Sequence, residues 1–436
     1  MLGSVLELRK QGLLPFLRKS QRKLGDVFRM RVGTRENYVV AHPEGAAHVL
    51  QQNARNYTKS RSYQRLVLML GRGLVTTEGE VWRRQRTIAQ PFFQRPVIKE
   101  LAGTMTKLID ARMGRWQAAL RAERAIDVKF ECKALNFDLI AGSLFGVDPS
   151  EDGVSLGRAT DALSDFVESQ RWQLFPLPSE VPTPRRLMAR YNRWCVDRVA
   201  NRYAATERGR DNEGLISMLI DARNEQGEVA FTAEQVRDQI VTLLITGYET
   251  TAAGLVWTMY LLAKHPDVAA RIRADVDRVI GRRVPVADDI KKISYLSMVV
   301  SESMRLYPPV WVIGRRSIAP DTIGGYSVPA DAPVGVYPSL IHRHPEFWPR
   351  PDEFDPENFT PAAIEARPKL AYLPFGGGAR SCIGNHLAML ELQLCIAMFV
   401  QRFDVSVPDG YEPHVQPFVT LTPPDGIPLR LRERVR

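Results

Sequence analysis

The sequence predicts a mainly α-helical protein with a minor β portion, organised as one unit. Three observations carry this. Helical patterning dominates from about residue 99 to 280, and inside it lies the most apolar segment of the chain, Ile240 to Ala263, interrupted by Glu249. Residues 308–368 hold twelve of the thirty prolines, which excludes long helices there and demands extended or turning backbone. With 44% apolar and 25% charged residues, the 436-residue chain has a globular composition, neither disordered nor membrane-like. It contains no repeat and no low-complexity tract.

The first 35 residues carry nine Lys/Arg and two acids, a net of +7. We read 1–35 as a basic N-terminal arm and first helix region, largely solvated, ahead of a single unit at 36–436. Weak adhesion of this arm to an anionic membrane surface is the second reading. Its longest uncharged stretch, Gln11 to Leu17, is too short for a signal-peptide core or a membrane span, so a cytoplasmic location is expected. Tyr38 to Val40 is an extended piece. Thr232 and Gln235 have capping-box spacing, and His265-Pro266 should stop the helix they open. At 1.5 Å per residue that helix is about 50 Å long. Glu249 divides its apolar part into runs shorter than the ~18 residues a membrane helix needs, so it reads as a buried helix. A glycine loop at 376–378 and an apolar closing helix from Leu387 to Val400 end the pattern.

The net charge of +10 bears on partners rather than on fold. A nucleic-acid-binding role is not supported, since basic and aromatic residues are not interleaved and no binding module is recognisable. The cysteines, at 132, 195, 382 and 395, contain no CxxC pair, which removes zinc-ribbon and dithiol readings. His342 and His344 have no cysteine near them in sequence, and a metal reading is set aside.

The chemistry-bearing residues lie in five segments. In Phe375-Gly376-Gly377-Gly378-Ala379-Arg380-Ser381-Cys382-Ile383-Gly384, glycines let the backbone approach a flat ligand, and Cys382 falls near a helix start that favours thiolate over thiol. A thiolate there can bond a metal ion while Arg380 meets an anionic group of the same ligand. Taken alone, a cysteine flanked by glycines is more often a small buried residue; the full pattern is much rarer. Glu302 lies on the apolar stripe Tyr295, Val299, Glu302, Leu306, so its carboxylate needs a partner, and Arg305 is placed to supply one. Thr246-Gly247-Tyr248-Glu249-Thr250-Thr251 puts glycine and polar groups in the middle of the apolar helix, where hydroxyls bonding back can open it locally. Trp82 and Arg86 share a helix face, so an indole N–H and a guanidinium can point at one anion. A solvated basic face with one packed tryptophan would give the same spacing. The fifth segment is Phe354-Asp355-Pro356-Glu357-Asn358-Phe359.

Taken in chain order from Trp82 to Gly384, these segments resemble the cytochrome P450 monooxygenases, over nearly the whole chain outside the basic arm. The resemblance implies a single-domain fold with haem b held between the long central helix and the helix after the cysteine loop. It implies Cys382 as axial thiolate ligand of the iron, with Phe375, Gly376, Gly384 and Gly247 against the cofactor. Arg380, Trp82, Arg86 and Arg316 are its propionate candidates, although the neighbouring Arg315 leaves that last register open. Glu249 would relay protons and Thr250 would hydrogen-bond iron-bound dioxygen. Thr246 stands where the family usually has Ala or Gly. Glu302 and Arg305 would brace the fold, and Asn358 replaces the arginine that usually joins them, which leaves the third member of the brace in question.

The same resemblance implies a substrate pocket lined by residues 63–70 (Leu66 and Leu70 among them), 172–175, Leu243, Thr246, Gly247, 310–313 (Val310 and Val312 among them) and Thr420. For about half of these, plain core packing is the competing account. The expected activity is insertion of one oxygen atom from O2 into an apolar small molecule such as a fatty acid, terpenoid or steroid. No reductase module is visible, so a separate ferredoxin or flavodoxin with its reductase is the expected electron donor. A peroxide-driven peroxygenase or a haem isomerase is the rival within the same cofactor class, and the Glu249–Thr250 pair speaks against it.

Overall fold

The computed structural model describes residues 12–32, 35–147, 153–169, 183–207, 214–223 and 227–434. Helices predominate and the strands are few and short, as the sequence predicts. The chain gathers into two compact units: Met1–Tyr63, Met298–Cys382 and Pro413–Asp425 form the first, and Gln64–Ser297, Ile383–Glu412 and Gly426–Arg436 the second.

The first unit holds the β portion. Its strands are β1 (Val27–Val32), β2 (Arg35–Val40), β3 (Tyr57–Lys59), β4 (Ile313–Ser317), β5 (Asp321–Ile323), β6 (Tyr326–Val328) and β7 (Pro333–Val336). Five of them form a sheet in the order β1-β2-β7-β4-β3, antiparallel except for the parallel β2–β7 pair. β5 and β6 form a separate hairpin, and its turn residues Gly324 and Gly325 sit at φ 53° and 79°, which a two-residue hairpin turn requires. Side chains alternate along a strand. Tyr38 and Val40 therefore join one core with Leu50, Val334, Val336 and Leu373, while Val39 joins another with Leu13, Leu17 and Trp311. Both faces are buried at the end of β2, which explains its unbroken apolar run.

That second core corrects part of the N-terminal reading. From Leu13 the basic segment is not a solvated arm: Leu13–Leu24 is a helix that buries Leu13 and Leu17, and Val27–Val32 is a strand of the sheet. Leucines four apart give the helix an apolar stripe strong enough to dock, while its cations stay on the outer face, Arg18 reaching Asp352 at 2.9 Å.

The second unit is helical, and its spine is Ala233–Lys264. The capping box forms as its spacing predicts: Gln235 N donates to Thr232 Oγ1 at 3.3 Å and Thr232 N to Gln235 Oε1 at 3.0 Å. Pro266 opens the next helix directly after the His265 cap. Among the described residues this is the one helix long and apolar enough to cross a membrane, but 83% of its apolar window is buried inside the protein. Each fully buried Leu or Trp along it contributes about 1.5–3 kcal/mol of transfer free energy. Two glycines set its closest approaches. A Cβ on Gly247 would lie 2.7 Å from Ile140 Cδ1, and one on Gly254 would lie 3.1 Å from Leu392 of the helix Asn385–Arg402. The long helix and the helix that follows Cys382 thus pack directly on each other.

Candidate functional site

The cysteine loop is shaped by its own backbone. Cys382 N donates to Phe375 O at 2.9 Å, which closes the segment into a tight loop, and Ser381 N donates to Gly378 O at 3.1 Å. Gly376 and Gly378 adopt φ 73° and 69°. At Gly378 a second demand is added, because a Cβ would fall 1.9 Å from the carbonyl oxygen of Leu50. The four thiols are in different surroundings. Cys382 is exposed and stands three residues before the first helical residue, Asn385; Cys132 and Cys395 are buried, and burial pushes their thiols well above the ordinary range. Only Cys382 combines accessibility with a loop built to receive a ligand.

Glu302 and Arg305 form a fully buried pair, each 0% exposed. Arg305 Nε donates to Glu302 Oε2 at 2.6 Å and Nη2 to Oε1 at 2.7 Å. The remaining guanidinium protons go to the carbonyls of His342, Pro351 and Glu353 at 2.9, 2.7 and 2.7 Å, so all five N–H groups are used. Glu302 Oε1 also accepts from Asp355 N at 2.8 Å and from Asn358 Nδ2 at 3.2 Å. Burial pushes the Glu302 carboxyl up, with Arg305 opposing it. Asn358 therefore supplies a hydrogen bond but no charge. A further cation stands nearby, unforeseen from sequence: Arg367 lies over the Trp348 ring at 3.9 Å, donates to Asn358 O at 2.5 Å, and has Glu302 among the charges acting on it.

On β4 the two arginines diverge. Arg316 is ion-paired to Asp331. Arg315 is 8% exposed and falls on the strand face of Ile313, whose Cδ1 would be 3.6 Å from a Cβ on Gly376 of the cysteine loop. The geometry favours Arg315 over Arg316 as the residue facing that loop. Among the pocket candidates of this unit, Val310 is exposed, Thr420 is buried, and Val312 packs against the core around Trp311, which is the plain packing account. Leu421 N donates to Pro309 O at 2.9 Å, holding the Thr420 and Val310 segments side by side.

In the second unit, Thr246, Gly247 and Thr250 form a partly exposed stripe on the otherwise buried long helix, one turn beyond the buried Leu243. Thr250 Oγ1 donates to Thr246 O at 2.7 Å and Thr246 Oγ1 to Thr242 O at 2.6 Å. The Thr250 hydroxyl proton is thereby used within the helix, and its oxygen is left to accept. Glu249 points elsewhere. It is buried, and its carboxylate lies 3.5 Å from Lys133 Nζ on the helix Val128–Leu139. From the same helix, Asn136 Nδ2 donates to Gly247 O at 2.7 Å and to Tyr248 O at 2.9 Å, pinning the backbone at the polar segment. Sequence reasoning missed Lys133 and Asn136, although polar groups among the apolar residues of that helix were a usable signal.

Trp82 and Arg86 sit half-buried, one turn apart, on the helix Gly79–Ala89, with Arg86 Nε 3.3 Å from Gln90 Oε1. Gln85 faces inward between them and ties the helix to Arg72 O at 3.1 Å and to Thr77 Oγ1 at 2.6 Å. Leu66 is half-buried; Leu70 is buried, and its carbonyl takes the Thr242 hydroxyl at 2.8 Å. Gly384 caps the helix Asn385–Arg402, close to Phe93. The 172–175 stretch lies outside the described residues. His342 and His344 are occupied locally, by Leu373 N at 2.9 Å and by Asp26 at 2.9 Å.

A model of the family Cytochrome P450 matches residues 1–429. The chain belongs to the cytochrome P450 family. It is 34% identical to cyclooctatin synthase of Streptomyces melanosporofaciens, over 93% of this chain and 88% of that protein. It is 30% identical to pentalenene oxygenase of Streptomyces avermitilis, over 94% and 91%. Its fold resembles the crystal structure of the cytochrome P450DA heme domain with a TM-score of 0.86 at 26% identity, over 97% and 93% of the two chains. It is a P450 monooxygenase, of a family with a haem-thiolate cofactor, apolar substrates and, as a rule, redox partners. The residues of this P450 fit such a group. An exposed thiol stands in a loop whose glycines hold positive φ, and a buried guanidinium shares the strand face that meets that loop.

Proposed function

We propose that this P450 binds haem b through Cys382 as axial thiolate and oxygenates a cyclic terpenoid, ahead of a fatty acid or steroid. The exposed Cys382 thiol in its glycine loop is the observation that carries the reading. The names of the relatives, cyclooctatin synthase and pentalenene oxygenase, support the substrate class. Arg380, Trp82, Arg86 and Arg315 are proposed to meet the propionates, with Phe375, Gly376 and Gly384 against the ring.

Bound haem supplies reductive activation of dioxygen and transfer of one oxygen atom. The protein's own residues do the rest. Thr250 Oγ1, its proton committed to Thr246 O, offers lone pairs to a donor in the pocket. Glu249 takes a proton from water and passes it inward. Leu243, Thr246 and Gly247 hold the substrate beside Thr250 and keep water out. Electrons are proposed to come from a separate acidic ferredoxin or flavodoxin with its reductase, docked through cations such as Arg83 and Arg84, and the protein is assigned to the cytoplasm. Turnover that rises with added salt would count against charge-steered docking.

The test is optical. The purified protein should show the red-shifted ferrous carbonyl band of thiolate ligation, and Cys382→Ala should lose it. Cyclic terpenes should displace iron-bound water at lower concentration than fatty acids or steroids; the reverse order would overturn the substrate class.

A further inference from the structure

A buried carboxylate needs a cation or several donors, and what holds it decides when it can move. Glu249 is 9% exposed, Lys133 beside it 13%, and Asp161, which Lys133 also bonds, 49%. The three lie on three helices, Ala233–Lys264, Val128–Leu139 and Gly153–Ser169, and step from the interior toward solvent. The link to Glu249, at 3.5 Å, is longer than a good hydrogen bond, so the inner side of the chain is the loose one. The backbone under Glu249 is not loose, because Asn136 fixes the carbonyls of Gly247 and Tyr248.

We infer that Lys133 is the positioning residue of Glu249: anchored on Asp161, it steers the buried carboxylate and, by swinging outward, opens it to water. The inference rests on the proposed proton-relay role of Glu249. In the step it governs, one proton passes from water to the Glu249 carboxylate and no electron moves. Lys133 acts by place and charge rather than by giving up its own proton. Burial lowers its pKa, yet Glu249 and Asp161 raise it more, and it stays an ammonium. Among the described residues, Lys129, one turn earlier on the same helix, and the Tyr248 phenol, over whose ring Lys133 Nζ lies at 5.5 Å, also face this chain.

The experiment uses the haem-loaded enzyme with a redox partner and compares K133M, K133R, D161N and E249Q. Product formed per electron pair consumed should fall about tenfold in K133M, recover in K133R, and fall two- to threefold in D161N, with a larger solvent isotope effect in K133M. Independently of turnover, infrared spectra at neutral pH should show a protonated carboxyl band in K133M that is absent from K133M/E249Q. Wild-type coupling in K133M without that band, while E249Q is impaired, would overturn the proposal. Wild-type coupling in E249Q would instead remove the relay role of Glu249, and the Lys133 proposal with it. D161N changes a half-exposed side chain and keeps the test open should K133M fold poorly.

Discussion

Arg315 and Arg316 are adjacent on strand β4 and serve opposite faces of it: Arg316 pairs with Asp331, and Arg315 is buried on the side of the cysteine loop. If Arg315 is the propionate ligand, Arg315→Ala should speed haem loss to a competing acceptor by about tenfold or more, the scale of one lost charge-assisted hydrogen bond. Arg316→Ala breaks a half-exposed ion pair and should cost at most about 1 kcal/mol of stability, with haem retention unchanged. Equal haem loss from both variants would cancel the distinction.

The buried brace gives a graded series. Arg305→Lys keeps the charge but leaves Glu302 with a single-point partner and strands carbonyls of His342, Pro351 and Glu353. A loss of about 3–5 kcal/mol is expected in urea unfolding. Asn358→Ala removes one 3.2 Å hydrogen bond and should cost about 1 kcal/mol. Arg367→Ala should cost more, about 2 kcal/mol, because it removes both the bond to Asn358 O and the cover over Trp348. Should Asn358→Ala prove the costlier, Arg367 is not the compensating cation.

Two buried groups set opposite pH slopes. Burial lifts the Glu391 carboxyl to about 8, so the folded state holds a proton that the unfolded chain releases above its ordinary value near 4.5. Its stabilising contribution is full at low pH and is lost as pH rises toward 8. Burial, aided by Arg305, lowers His342 to about 3, so the unfolded chain binds a proton below 6.5 that the folded state refuses. That contribution is lost as pH falls toward 3. Each slope is about 1.4 kcal/mol per pH unit, and between 4.5 and 6.5 they cancel. Chemical denaturation across pH should show a plateau there with a fall on either side, and Glu391→Gln should remove the alkaline fall and turn the plateau into a rise with pH up to 6.5.

Neighbouring glycines of the cysteine loop should respond differently to the same change. Gly378→Ala must displace the Leu50 carbonyl and also adopt positive φ; loss of the thiolate spectral band is expected, with helical circular dichroism kept. Gly376→Ala meets its nearest atom at an ordinary 3.6 Å and carries only the φ penalty, about 1–2 kcal/mol, so its spectrum should survive. Identical spectra from the two variants would show that the Leu50 contact does not matter.

What could be read from the sequence was local. The Thr232 cap, the long helix, the pairing of Glu302 with Arg305 and the shared face of Trp82 and Arg86 all follow from helical spacings of three or four residues. The misses are contacts across the chain or signals drowned by composition. Asn136 reaches Gly247 across 111 positions, and no local spacing announces it. The β4 register turns on strand alternation, which two consecutive arginines hide. Leu13 and Leu17 were legible as a stripe, but the density of cations around them suggested an arm in water.

The brace also bears on how the chain is made. Arg305 leaves the ribosome before the carbonyls that will take three of its protons, and Glu302 waits for Asn358, 56 residues further along. Until that stretch emerges, the two side chains have only each other and water to bond. A polypeptide ending short of residue 358 therefore lacks partners that this charged pair needs when it is buried.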